Sequence, residues 1–303
     1  MQDQKSFIGK REPFFVVHDY VNIDVTEEKI VIIRRFIMIL CSSTVRSEKP
    51  LEEAMGDISA AGFNYIDLLV INTWAHINPA DLVKDFKGVV SHFEDVMQKS
   101  DLKVGAVNVG LNHNLYDRRA DVVESNIREL DAVCRFMNFL GVDVAALQPM
   151  KSDPSRSLEK VVKDCIKSLS EYLECADKYG VTLGLELHAH SPFESIEAMK
   201  YLFTELPKAT IAYDPTHVIC MGYSLKECEF VMDRASHVHI RNASKGNFLR
   251  SFEDGEVDFE WIIKTLMEKG YKGNYSIESL QNDEFDAIED ALKIKDLLEK
   301  LLA

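Results

Sequence analysis

The chain has 303 residues, of which 46% are hydrophobic and 28% charged. That balance excludes a disordered protein and supplies enough apolar surface for a sizeable core. Its formal net charge of -15 argues against a nucleic-acid backbone or an anionic membrane as main partner, since both select clustered cations. No apolar run reaches the roughly 20 residues of a membrane span, and MQDQKSFIGKREPFF lacks the basic-then-apolar order of a signal peptide, so a cytoplasmic protein is expected.

Residues 1–34 precede any regular pattern and are expected to form an N-terminal extension, a packing or homo-oligomer-contact arm. VVHDYVNIDV could supply an edge strand and EEKIVIIRR a strand feeding the first repeat. From residue 35 onward short apolar runs alternate with segments of helical period. FIMILCSS precedes the helix PLEEAMGDISAAGF, with Pro50 at its start and Gly62 at its end. YIDLLVI precedes a helical stretch over about 79–99. KVGAVNVG precedes SNIRELDAVCRFMNFLG, which has Ser125 as its expected cap and Gly141 as its stop.

The alternation continues with VDVAALQP and the helix LEKVVKDCIKSLSEYLECADKYG, then VTLGLELH and FESIEAMKYLFTEL. ATIAYDPTH leads to a short helix near 225–234, HVHIRNA to a loop and DFEWIIKTLMEKG, and YSIESL to the C-terminal helix. Eight such units over 35–303 predict an α/β fold, a (β/α)8 TIM barrel, because repeated strand–helix units build a parallel sheet and eight close it. A doubly wound open sheet is disfavoured by the lack of a G-x-G-x-x-G turn after the first strand. The six cysteines form no C-x-x-C pair and are expected to be reduced core residues.

Side chains two apart on a strand share a face. In the second half of the chain this groups Thr182, Gly184, Glu186 and His188; Ala212 and Asp214; His237, His239 and Arg241; and Ser276 and Glu278. The opposite faces are apolar and suit contact with outer helices. Glu186, Asp214, His239 and Glu278 thus project from the C-terminal ends of four consecutive strands, where a barrel builds its active site. Three carboxylates converging there around an imidazole repel one another unless a cation lies between them, so one divalent metal is expected, Mn, Mg, Co or Zn. Asn108 and Gln148 turn inward by the same parity, and His76 lies in the loop after the second strand. Arg241, Lys245 and Arg250 follow the seventh strand, where an anionic group could be held.

LGLELH, AYDPTH, HVHIRN and YSIES, in that order, resemble the metal-ligand blocks of the xylose isomerase-like barrel superfamily, specifically its sugar phosphate isomerase/epimerase group. The resemblance implies a metal site at Glu186, Asp214, His239 and Glu278 that binds a small sugar or sugar phosphate. It also implies that Glu186 and Glu278 move a proton through an enediolate on opposite faces of the substrate. His217 matches the family's histidine that contacts a substrate oxygen, and His188, which follows Glu186 on its strand face, is a further substrate-binding candidate. The histidine-rich element of the family's DNA-repair members has no counterpart in NASKGNFLRSFEDGE. Asn242 stands where many sugar-acting members have an acid. That segment is expected to anchor a phosphate through Lys245 or Arg250, or to act as a lid hinged at Gly246 and Gly255. A metal-dependent isomerase or epimerase is the leading expectation. A lyase acting on a keto-inositol or keto-sugar, with His188 or His190 as the added acid, and a non-catalytic sugar-binding barrel are the alternatives.

Overall fold

Eight parallel strands close on themselves in a computed structural model that describes residues 16–18 and 35–303. In chain order they are β1 (Ile39–Ser42), β2 (Tyr65–Ile71), β3 (Lys103–Gly110), β4 (Val144–Leu147), β5 (Thr182–Glu186), β6 (Thr210–Tyr213), β7 (Ala235–Ile240) and β8 (Tyr275–Ile277). Each pairs with its sequence neighbours, and β8 closes the ring against β1 through Ser276 opposite Leu40. The expected barrel is therefore the fold, with helices following the strands.

The alternation read from the sequence sorts the side chains as expected. Leu183, Leu185, Ile211, Tyr213, Val238, Ile240, Tyr275 and Ile277 join one large apolar cluster with the helices. Leu40, Ala106 and Val144 form a separate small cluster inside the ring. Five of the six cysteines are buried, Cys220 is partly so, and all six are free.

Four local expectations change. The helix after β3 is Ala120–Leu140, which begins ahead of Ser125 with Arg119 at its N-cap position; the cap signal at Ser125 loses to a helix-compatible lead-in that buries Val122. It ends at Gly141, whose φ is 71°. The stretch over 79–99 is two helices, Pro79–Lys84 and Phe86–Met97, interrupted at Asp85, whose side chain accepts from the Gly88 amide. Directly after β6 the chain forms a short helix, Pro215–Cys220, capped by Asp214. The segment read as a loop after β7 is a hairpin of Asn242–Ser244 with Asn247–Arg250. Its turn uses Gly246 at φ 77°, a conformation that glycine adopts without strain.

Val16–His18 pairs antiparallel with Arg35–Ile37, outside the barrel sheet. The remainder of the N-terminal arm, including most of EEKIVIIRR, lies outside the described residues. Among the described residues no helix is long and apolar enough to cross a membrane.

Candidate metal centre at the C-terminal rim

Glu186 is the last residue of β5, Asp214 and Glu278 directly follow β6 and β8, and His239 lies near the end of β7. Parallel strands in register bring the four together: Glu186 pairs with Ala212, Ala212 with His237, and His239 with Ser276. One donor atom from each lies within 4.8 Å of the others, and all four residues are buried. His239 Nδ1 sits 3.0 Å from Glu186 Oε1 and 3.3 Å from Glu278 Oε2.

Arg241, two residues beyond His239, is turned into this group rather than out to solvent. Its Nη2 donates to Asp214 Oδ2 at 2.7 Å and lies 3.6 Å from Glu278 Oε2. Nε also donates to Asp214 Oδ2 and to Thr216 Oγ1, each at 3.1 Å. Burial alone pushes the Asp214 carboxyl up, but Arg241, with His217 and His239, more than offsets it and holds the group well below the usual carboxylate range. Burial likewise opposes the charge on His239, and Glu278, Asp67 and Glu186 outweigh it and raise the imidazole well above its ordinary value.

The donor set fits a divalent cation. Glu186, Asp214 and Glu278 bring three negative charges and Arg241 one positive, so with His239 neutral, as a ligand must be, two negative charges are left over. Glu186 Oε2 is also buried without a hydrogen-bond partner, a costly position for a carboxylate oxygen unless a cation or substrate meets it. Three oxygens and one imidazole nitrogen suit the hard to borderline metals expected from the sequence.

The remaining sequence-selected residues divide into those at this centre and those apart from it. Asn108 is fully buried on β3 and donates from Nδ2 to Glu278 Oε1 at 2.9 Å. His217 sits one turn into the helix capped by Asp214, and its Nε2 accepts from Arg241 at 3.1 Å. With Nε2 accepting, the proton of the neutral ring falls on Nδ1, which is buried with no protein partner. Burial lowers the pKa of this ring well below the ordinary histidine value. His188 lies against His217 with ring centroids 3.7 Å apart and the rings tilted by 39°, and its Nδ1 is 2.6 Å from the Ala189 carbonyl.

Gln148 follows β4, half-buried. His76 is not brought into the group: its ring nitrogens lie 3.1 Å from Ser43 Oγ and 3.1 Å from Arg46 O, tying the loop after β2 to the segment after β1. Lys245 is exposed at the hairpin turn and packs against Gly222. Arg250 donates to Ser244 Oγ across the hairpin.

The hairpin covers the rim. Phe248 lies 6.1 Å from the His217 ring and 6.3 Å from that of His188, with the Arg241 guanidinium 5.4 Å from its centre. Phe252 faces elsewhere, stacked on Phe259, and its amide donates to Asp290 Oδ1 at 2.6 Å. Gly255 is a close-packing position, because a Cβ there would collide with the Asn242 side chain.

One buried residue that sequence reasoning did not select stands beneath the group: Asp67 of β2, in contact with His237 and His239. The available signal was a single carboxylate inside the apolar run YIDLLVI.

A family model described as xylose isomerase-like TIM barrel matches residues 56–301. The chain is similar to inosose dehydratase of Bacillus licheniformis, 25% identical over 219 residues that cover 60% of this chain and 72% of that protein. Its fold is similar to that of a D-tagatose 3-epimerase-like protein, at TM-score 0.68 and 20% identity over 88% of this chain and 97% of the other. It is also similar to that of the IolI protein with a zinc atom, at TM-score 0.67 and 17% identity over 88% and 98% of the two chains. The match of the family model over most of the chain is decisive: this protein belongs to the xylose isomerase-like TIM barrel family.

Proposed function

We propose that this protein is a divalent-metal-dependent isomerase or epimerase of a small sugar, keto-sugar or sugar phosphate, with the metal held by Glu186, Asp214, His239 and Glu278. The observation that carries the reading is the placement of two glutamates from different strands around one point, each about equally close to His239 Nδ1. A bound divalent cation supplies Lewis acidity, stabilising negative charge as it develops on adjacent substrate oxygens.

The chain's own groups supply the proton chemistry. Asn108 fixes one oxygen of Glu278, and Glu186 retains an unpartnered oxygen. One glutamate takes a proton from the carbon beside the carbonyl, and the other returns one to the opposite face of the enediolate. His217 offers its Nδ1–H to a substrate oxygen, and Phe248 shields the histidine pair from water. His188, Gln148 and Lys245 are assigned to the substrate rim; Arg241 acts from within, offsetting ligand charge.

A second reading, dehydration of a keto-inositol or keto-sugar, is favoured by His188, which lies against His217 and, when doubly protonated, would pass its Nε2 proton to a departing hydroxyl while Nδ1–H stays on the Ala189 carbonyl, and by the similarity to an inosose dehydratase. Metal-loaded protein incubated in deuterium oxide with a panel of ketoses and inososes separates the two. Deuterium at the carbon next to the carbonyl, without loss of water, is the expected result. A new unsaturated chromophore would establish the dehydratase instead, and neither signal on any substrate would leave only a sugar-binding barrel.

A further inference from the structure

Asp67 occupies the middle of β2 and is wholly buried, between Ile66 and Leu68 in the chain. Its Oδ2 lies 2.9 Å from His237 Nε2 and 3.3 Å from His239 Nε2. The two imidazoles stand at 90° to each other with centroids 5.0 Å apart, and the same carboxylate oxygen faces a nitrogen of each. A buried carboxylate in such a place is costly unless hydrogen bonds or opposite charge compensate it; His237 supplies one hydrogen bond, and His239 Nε2, buried with no other partner, faces the same oxygen in an ion-pair contact.

His239 therefore faces carboxylates on both sides, with Nδ1 toward Glu186 and Glu278 and Nε2 toward Asp67. A neutral imidazole carries one proton and one lone pair, and a partner on one nitrogen decides which sits where. We infer that Asp67 is a positioning residue: by accepting the proton on His239 Nε2 it fixes the ring and aims the Nδ1 lone pair at the Glu186, Asp214 and Glu278 carboxylates. His237 holds the same Asp67 oxygen from a second ring, which restrains the carboxylate beside His239. The inference rests on the metal reading above. It adds a residue from the opposite side of the barrel, outside the four donors, that tunes the one nitrogen ligand.

The test compares wild type, Asp67→Asn and His239→Ala in competition with a chromophoric chelator for Zn²⁺, together with the visible absorption of the Co²⁺-loaded proteins. Asp67→Asn keeps the shape of the side chain, and the expected result is metal binding weakened by about 10- to 100-fold with an altered Co²⁺ spectrum. A merely structural role would leave that spectrum unmoved. If His239→Ala loses metal while Asp67→Asn binds within about twofold of wild type with an unchanged spectrum, the Asp67 inference is wrong and the metal reading stands. If both variants bind like wild type, the metal reading fails and the inference with it. Should Asp67→Asn not fold, a crystal structure of metal-loaded wild type decides. Ligation through Nδ1 with Nε2 on Asp67 supports the assignment, and ligation through Nε2 overturns it.

Discussion

The two halves of the barrel turn different chemistry inward. Strands β5 to β8 end in Glu186, Asp214, His239 with Arg241, and Glu278, whereas β1 to β4 offer Leu40, Ser42, Leu69, Asn108 and Ala146, with Asp67 as the only charge among these inward positions. The same alternation rule governs both halves, so the difference lies in residue choice and not in backbone geometry. In the proposed mechanism the β5–β8 half holds the reactive groups while the β1–β4 half, with one buried charge, orients them: Asn108 reaches across to Glu278 and Asp67 to His239.

The comparison breaks most visibly at the ligands. Asp214→Ala or His239→Ala is expected to reduce bound metal to background by elemental analysis, a loss of at least about 100-fold in affinity, whereas Asn108→Ala should keep its metal. Next come the two glutamates. Glu186→Gln and Glu278→Gln retain an oxygen donor but lose the base, so turnover should fall by about 10²- to 10⁴-fold with much of the metal still bound. Equal turnover in either variant would end the two-glutamate mechanism.

Arg241→Met tests the charge balance within the active half. It strands Asp214 without its buried partner, and urea unfolding of the metal-free protein should show a loss of about 3–5 kcal/mol. The effect should shrink when metal is added, since the cation then faces the same carboxylates. In the β1–β4 half, Asn108→Ala removes the donor to Glu278 Oε1 and should lower kcat by about tenfold, equivalent to about 1.4 kcal/mol.

The smallest effect is a pH dependence on the supporting side. Glu129, on the helix Ala120–Leu140, accepts from Asn72 Nδ2 at 2.8 Å and from the Asn112 amide at 2.9 Å, tying together the loops after β2 and β3. Burial pushes its carboxyl above the ordinary glutamate value. The folded protein then holds this proton to higher pH than the unfolded chain does, so the group's contribution to stability falls as pH rises from the ordinary value through the raised one. Glu129→Gln keeps an acceptor and does not titrate. Melting temperatures between about pH 4 and about pH 7 should therefore move in the variant's favour as pH rises. A constant difference would show that Glu129 titrates normally.

The β5–β8 half was legible because its signal repeats: four consecutive strands finish with a polar residue in the same parity, and strand parity is a local property. Asp67 obeys the same parity but stands alone in YIDLLVI, and its partner His237 is 170 residues away, so no local pattern discloses it. The helix Pro215–Cys220 was hidden for a related reason. Asp214 reads as a strand end, and its second role, capping the turn that carries His217, emerges only when its carboxylate accepts from the Thr216 amide. In the segment after β7, Gly246 and Gly255 look alike in sequence. One permits a hairpin turn and the other leaves room for Asn242, a distinction made by packing. His76, similarly, has the composition of a rim ligand, but burial against Ser43 and Arg46 takes both its nitrogens.

Glu186, Asp214, His239 and Glu278 are proposed to hold one divalent cation. Anomalous diffraction from a Mn²⁺- or Zn²⁺-soaked crystal, collected at the metal edge, tests it most directly. The expected result is a single strong peak enclosed by those four side chains, with Asp214 released from part of its contact with Arg241. A peak elsewhere, or none while the four residues keep their present hydrogen bonds, would contradict it.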